Sequence, residues 1–328
     1  MKQHQAKVYP WQATVWKSLT GRFPQLGHGL LFYGKSGSGK HAFALHFLSW
    51  VLCTQKKPEG ACGECISCQW LKSDTHPNYV YITTDDDNKK QNAKIKIEKI
   101  RDLLPFVQQT VDGWRVIVIE PAEALNIASA NALLKTLEEP GEKVLIILIA
   151  DHYLKLPATI RSRLQHFSLD RMTFDQAQDY LSEQLPTLDP AQIQLLLNLS
   201  NDMPLKAVEL AEADWFNKRR DFVSDWIKLV KQKNMPLMIA SKWQKELAAA
   251  DWLIMFEYLL GDLICVKLNQ DPKNIDLDFK ELSGEYALEQ LFDLYAQIQH
   301  SKQLIGQNVQ TNLVIDQLFI QLMNVNGS

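Results

Sequence analysis

The chain has 328 residues, too many for one ordinary core, so two or three domains are expected. Apolar residues make up 46% and charged residues 22%, the balance of a soluble globular protein, and a net charge of −3 leaves no overall basic excess to drive nucleic-acid binding. The opening MKQHQAKVYPW lacks the apolar core of a signal peptide, and the most apolar run, 252–266, is broken by Glu257 and Asp262 and is too short to span a bilayer. A cytoplasmic protein with no membrane segment is the expectation.

The first apolar run, from His28 to Tyr33, ends at Gly34 and predicts a strand feeding the stretch GKSGSGKH. That stretch nearly spells G-x-x-x-x-G-K-[ST], the glycine-rich turn whose backbone amides cradle phosphates. Gly34, Gly37, Gly39 and Lys40 are in place, but His41 stands where a hydroxyl would hold magnesium. Imidazole is a poor substitute, because magnesium prefers hard oxygen ligands. From Lys40 to Leu52 the apolar residues Phe43, Ala44, Phe47, Leu48 and Val51 form one helical face.

Next comes CGECISC, which with the preceding cysteine supplies Cys53, Cys62, Cys65 and Cys68. Two consecutive C-x-x-C spacings suit a closed, structural four-thiolate zinc shell, with Gly63 easing the turn. A redox C-x-x-C would need a thioredoxin-like context, which is absent, and the plainest alternative is four unrelated buried thiols. The module would stabilise an insertion after the first loop-bearing helix. Asp85 to Asp87 with Lys89 and Lys90 reads as a solvated loop.

Ile97, Ile100, Leu103, Leu104 and Val107 predict one helix, followed by buried strands at Val116–Ile119 and Val144–Ala150. Continuous apolar strands alternating with helices imply a parallel sheet covered on both faces. The strand at Val116 ends in Ile119-Glu120-Pro121, where an active nucleotide hydrolase carries an acidic pair, one member for the metal and one to activate water. Glu120 can reach for a metal; Pro121 cannot act as a base, and Glu123 lies a few residues further on. Hydrolysis is therefore not expected, while binding of ATP or ADP without turnover stays open. After Asp170 the strand signal stops, and helices run to the end around a loop at Asp271–Phe279. Cys265 is expected to be core.

The string ASANALLKTLEEP, residues 128–140, is the most specific in the chain. It resembles the N-A-L-L-K-x-L-E-E-P helix of the clamp-loader branch of the AAA+ ATPases, the subunits of the bacterial DNA polymerase III loader. The cysteine spacing, HPNYVYI, and LPATIRSRLQHFSL with Ser162-Arg163-Leu164 at the family's S-R-C motif are similar too. The likeness covers about the first 210 residues and is loose beyond. It implies an AAA+ α/β domain over 1–168 with a zinc module at 53–68, a helical lid over 169–208, and a helical oligomerisation collar over 209–328. His41, Glu120-Pro121, Ala150-Asp151 and Asp202-Met203-Pro204-Leu205 depart from the hydrolysing members at four motif positions. The resemblance then implies the non-hydrolysing member, a component of the DNA polymerase holoenzyme. Its partners would be tau/gamma and delta subunits, with the sliding clamp and primer–template DNA met through the assembly at the nucleoid-associated replisome. Arg163 would be the arginine finger offered to a neighbouring tau/gamma ATPase. The alternatives are an active tau/gamma-type ATPase using Glu120 and Glu123, and a zinc-dependent DNA-binding protein.

Overall fold

The computed structural model describes residues 6–84, 93–109, 112–232, 236–305 and 310–323. The Asp85–Asp87 stretch with Lys89 and Lys90 lies outside the described residues. The chain divides into two compact units, before and after about residue 177.

The first unit is built on a parallel five-stranded sheet of order β2-β3-β4-β1-β5, with β1 at Gly29–Tyr33, β2 at Tyr79–Ile82, β3 at Arg115–Ile119, β4 at Val144–Ala150 and β5 at Gln165–Ser168. Its helices are α1 (Ala13–Arg22), α2 (Lys40–Leu52), α3 (Ile66–Lys72), α4 (Ile97–Arg101), α5 (Leu103–Gln108), α6 (Ile127–Glu138) and α7 (Ala158–Arg161). Side chains alternate across the strands, so two cores form. Leu31, Ile117, Ile119, Ile146 and Leu148 pack with the α4–α7 side, while Leu30, Phe32, Val116, Val118, Leu145 and Ile147 pack with Phe43, Phe47 and Trp50 of α2.

The helix expected through Val107 is two helices. Pro105 has no N–H, and its ring opposes the carbonyl four residues back, that of Arg101, which is where α4 stops. Strands β2 and β5 join the three read from the sequence as the two edges of the sheet.

The second unit is helical: α8 (Phe174–Gln184), which crosses the division, then α9 (Pro190–Ser200), α10 (Pro204–Ala211), α11 (Arg219–Gln232), α12 (Pro236–Glu246), α13 (Ala249–Lys267), α14 (Lys280–Glu285), α15 (Leu288–Ile305) and α16 (Thr311–Met323). Asp189 and Gln192 close a capping box on α9, with Pro190 at its first turn. Phe222 sits amid Trp226, Trp243, Trp252, Phe256 and Phe319, at ring-centroid distances of 5.1–6.2 Å. The Trp226 indole donates to the Tyr286 hydroxyl at 2.8 Å, and that hydroxyl donates to the Leu322 carbonyl at 2.6 Å. Cys265, expected in the core, is only half-buried, as are its apolar neighbours Ile264 and Val266, because burial of α13 falls off over its C-terminal turn. No helix among the described residues is long and apolar enough to cross a membrane.

Candidate functional site

Because β4 lies between β1 and β3, the turns leaving the C-terminal ends of these three parallel strands are neighbours. That edge is where parallel α/β sheets bind ligands. The turn from β1 to α2 carries Gly34, Gly37 and Gly39 at φ of 151°, 85° and 84°. Gly39 has no alternative: a Cβ there would meet the Tyr9 ring at 2.5 Å.

Several polar groups of this turn are taken up by the chain itself, while the buried Ser38 hydroxyl has no partner among the described residues. Lys40 is 6% exposed; its Nζ lies 2.6 Å from Asp151 Oδ1, just past β4, and donates to the Lys35 carbonyl at 2.9 Å. The Lys35 amide donates to Asp170 Oδ2 at 2.9 Å. The Ser38 carbonyl accepts from the Trp11 indole at 3.0 Å and the Gln12 amide at 2.9 Å. Tyr9 stacks on Trp11 at 5.0 Å.

His41 Nδ1 lies 2.5 Å from Glu120 Oε2, and the Tyr81 hydroxyl donates to the same oxygen at 2.9 Å. The hydrogen bond to Glu120 raises the His41 pKa against the opposing effect of burial. Burial, with the Glu120 charge behind it, pushes the Tyr81 phenol up. Glu123 lies in the short 3₁₀ helix Ala122–Ala124, ahead of α6, where its Oε1 accepts the Asp151 and His152 amides at 3.0 and 3.2 Å and its Oε2 is buried without a partner among the described residues. Each carboxylate of the active-ATPase alternative therefore has a partner within the chain.

The four cysteines come together between α2 and β2, with sulfur atoms all within 4.8 Å of one another, a cluster that can hold a metal ion. Two of the pairs, Cys53 with Cys65 and Cys62 with Cys68, are 3.9 Å apart. A tetrahedral zinc with bonds of about 2.3 Å sets its sulfurs ~3.8 Å apart. Gly63 turns through φ 78°, and the amides of Glu64 and Cys65 donate to Cys62 Sγ and pull its thiol pKa down. Burial pushes the Cys53 and Cys68 thiols up. Burial also acts upward on Cys65, but hydrogen bonds from Thr54 and the Cys68 amide bring it down to about 5.

Arg163 stands apart from the turn. It follows α7 and precedes β5, and its carbonyl lies 3.2 Å from where a Gly29 Cβ would sit, at the start of β1. The strands are parallel, so Arg163 is at the sheet edge opposite Lys40, about 15 Å away along β1. Its side chain is 38% exposed and paired with Glu138 at 2.7 Å. Lys206, beside the departing stretch 202–205, is paired with Glu209 at 3.0 Å.

Sequence reading brought forward Gly34, Gly37, Gly39, Lys40, His41 and Glu120, and the fold gathers them. It did not bring forward Asp151 and Asp170 as partners of the turn, nor Glu138. The one local signal was an acidic residue directly after an apolar strand, at Asp151.

The family model described as DNA polymerase III, delta subunit, matches residues 12–173. The DNA polymerase III subunit delta′ of Pseudomonas aeruginosa is 32% identical over 98% of this chain and 99% of its own length. The delta′ subunit of Haemophilus influenzae is 28% identical over 80% of this chain and 79% of its own. Subunit tau of Bacillus subtilis is 34% identical, but over 45% of this chain and 26% of its own length. The likeness to tau is thus confined to one part of the chain while the likeness to delta′ runs its length, and the chain belongs to the DNA polymerase III delta′ subunit family.

Proposed function

We propose that this chain is a chemically silent delta′ subunit of a clamp loader. It joins tau/gamma and delta subunits and hydrolyses no ATP. It offers Arg163 to the adjacent tau/gamma nucleotide while a sliding clamp is loaded onto primer–template DNA. The domain plan of this reading is an AAA+ domain over 1–168, a lid over 169–208 and a collar over 209–328 that carries oligomerisation.

One observation carries the reading. The groups a magnesium nucleotide needs are bound within the chain, Lys40 to Asp151 and His41 to Glu120, while Arg163 is exposed at the opposite sheet edge. A guanidinium so placed cannot serve its own turn but can reach across a subunit boundary. There it would offset charge developing on a transferred phosphoryl group, a contribution on the order of 10³ or more in rate. Nucleotide binding by the turn itself has to compete with Asp151 for the Lys40 charge, which argues against occupancy by ATP or ADP. Cys53, Cys62, Cys65 and Cys68 would hold a structural zinc, whose part is to cross-link the insertion rather than to take part in a reaction.

The test has two arms. The purified chain is expected to show no magnesium-dependent ATP turnover above that of Lys40→Ala. A loader reconstituted with Arg163→Ala is expected to lose at least ~10-fold of its partner's DNA-dependent turnover. Turnover by the chain alone that Lys40→Ala abolishes would establish the active-ATPase alternative, and an unchanged loader would remove the finger.

A further inference from the structure

The half of Arg163 that faces its own chain is held with more care than a surface arginine needs. Its Nε donates to Glu138 Oε1 at 2.9 Å, one terminal nitrogen lies 2.7 Å from the same oxygen, and the other terminal nitrogen donates to the Thr159 carbonyl at 2.9 Å. The Ser162 hydroxyl, at 3.5 Å, lies at the limit of a bond. A guanidinium has five N–H donors in a rigid fork; with Nε and one terminal nitrogen at Glu138 and the other at Thr159, one donor on each terminal nitrogen is left, the second of them facing only the long Ser162 contact. Two oxygens of one phosphate match that remaining pair.

Both anchors of this contact are themselves fixed. Glu138 is the last residue of α6, a helix capped by Asn126, whose Oδ1 accepts the Ser129 amide at 2.8 Å, and rooted in the core by Leu133 and Leu137. On the other side Leu164 is 8% exposed, and the segment presses so closely on β1 that a Cβ at Gly29 would meet the Leu164 side chain at 2.8 Å. His28 adds a 2.5 Å contact to the Leu137 carbonyl, tying the end of α6 to the same strand. Arg163 and Glu138 are each about half-exposed, at 38% and 50%, so the ion pair adds little to stability. What it fixes is direction.

We infer that Glu138 is a positioning residue for Arg163: it occupies the inner edge of the guanidinium and thereby aims the outer edge at the neighbouring subunit's phosphates. The inference rests on the finger reading above. Glu138 remains bound during the partner's reaction, because the donors it uses are not those the phosphate takes.

The experiment uses reconstituted loader carrying Glu138→Ala, Glu138→Gln, Arg163→Ala or the double variant Glu138→Ala with Arg163→Ala, with DNA-dependent ATP turnover as the readout. Glu138→Ala is expected to lower the partner's kcat about tenfold with KM for ATP within about twofold, the pattern of an interaction made in the transition state. Glu138→Gln keeps an acceptor oxygen without the charge and should fall between. In the Arg163→Ala background, Glu138→Ala should add no further loss, since coupled residues are not additive. Two results overturn the inference: normal kcat in Glu138→Ala where Arg163→Ala is impaired, or an equal loss from Glu138→Ala in both backgrounds. Full turnover by Arg163→Ala defeats the finger reading itself, and is seen separately. Should Glu138→Ala fail to assemble, the near-isosteric Glu138→Gln carries the same comparison.

Discussion

At the level of single residues, Lys40 and His41 at the end of the glycine-rich turn are both paired within the chain. Lys40 meets the Asp151 carboxylate, and His41, at the position where the motif has a hydroxyl, meets Glu120. The second pair has a consequence for stability. Folding raises His41 above its ordinary value near 6.5, through the bond to Glu120. Its contribution is therefore complete below about pH 6.5 and fades as pH climbs through the raised value. His41 is 33% exposed and Glu120 21%, so after solvent screening the effect should be below ~1 kcal/mol. In urea unfolding, the advantage of the wild type over His41→Gln should be larger at about pH 6 than at about pH 8.5. Parallel pH curves for the two proteins would show that the pair titrates as it does in the unfolded chain.

Whole elements show what was legible and what was not. Strands β1, β3 and β4 announce themselves because both faces are buried and the sequence is apolar without a break. The edge strand β5, Gln-His-Phe-Ser from Gln165, buries too little to leave such a run, and β2 is only four residues long. The cysteine cluster was legible because its four members lie close in sequence. Asp170 was not, because it meets the Lys35 amide across 135 residues, a distance only the folded sheet spans. The cysteine insertion also has a second attachment that no spacing reveals. Trp50, Trp16 and His46 contact the consecutive carbonyls of Lys57, Pro58 and Glu59 at 2.8, 3.0 and 2.8 Å, and Ser67 donates to the Leu52 carbonyl at 2.8 Å. Changing Cys62 and Cys65 to Ser should therefore cut bound zinc from about one equivalent to none. Protease sensitivity should rise around 62–72, while the 57–60 hairpin stays docked and far-UV circular dichroism changes little. Metal retained by the variant would remove the zinc assignment, and global unfolding would show that the metal, not these side chains, seats the insertion.

For the molecule as a whole, charge decides how it can meet DNA. It carries 35 Lys and Arg against 38 Asp and Glu. Several of those cations are already committed: Lys40 to Asp151, Lys231 to Glu281, Lys242 to Asp225 and Lys302 to Glu257. Arg219 is buried between Asn274 and Asp276. Non-specific affinity for duplex DNA comes from neutralised phosphates, each adding about −0.9 to the slope of log K against log salt. A chain that must break its own ion pairs to make those contacts gains little from each. The isolated protein is therefore expected to bind primer–template DNA no more tightly than about 10⁻⁴ M at physiological salt, with a slope shallower than about −2, measured by fluorescence anisotropy across a salt series. Sub-micromolar binding with a slope of about −5 or steeper would reveal a basic surface of the chain's own and favour the DNA-binding alternative. The weak result would, on the proposed function, place DNA recognition with other subunits and leave this one to work through the assembly.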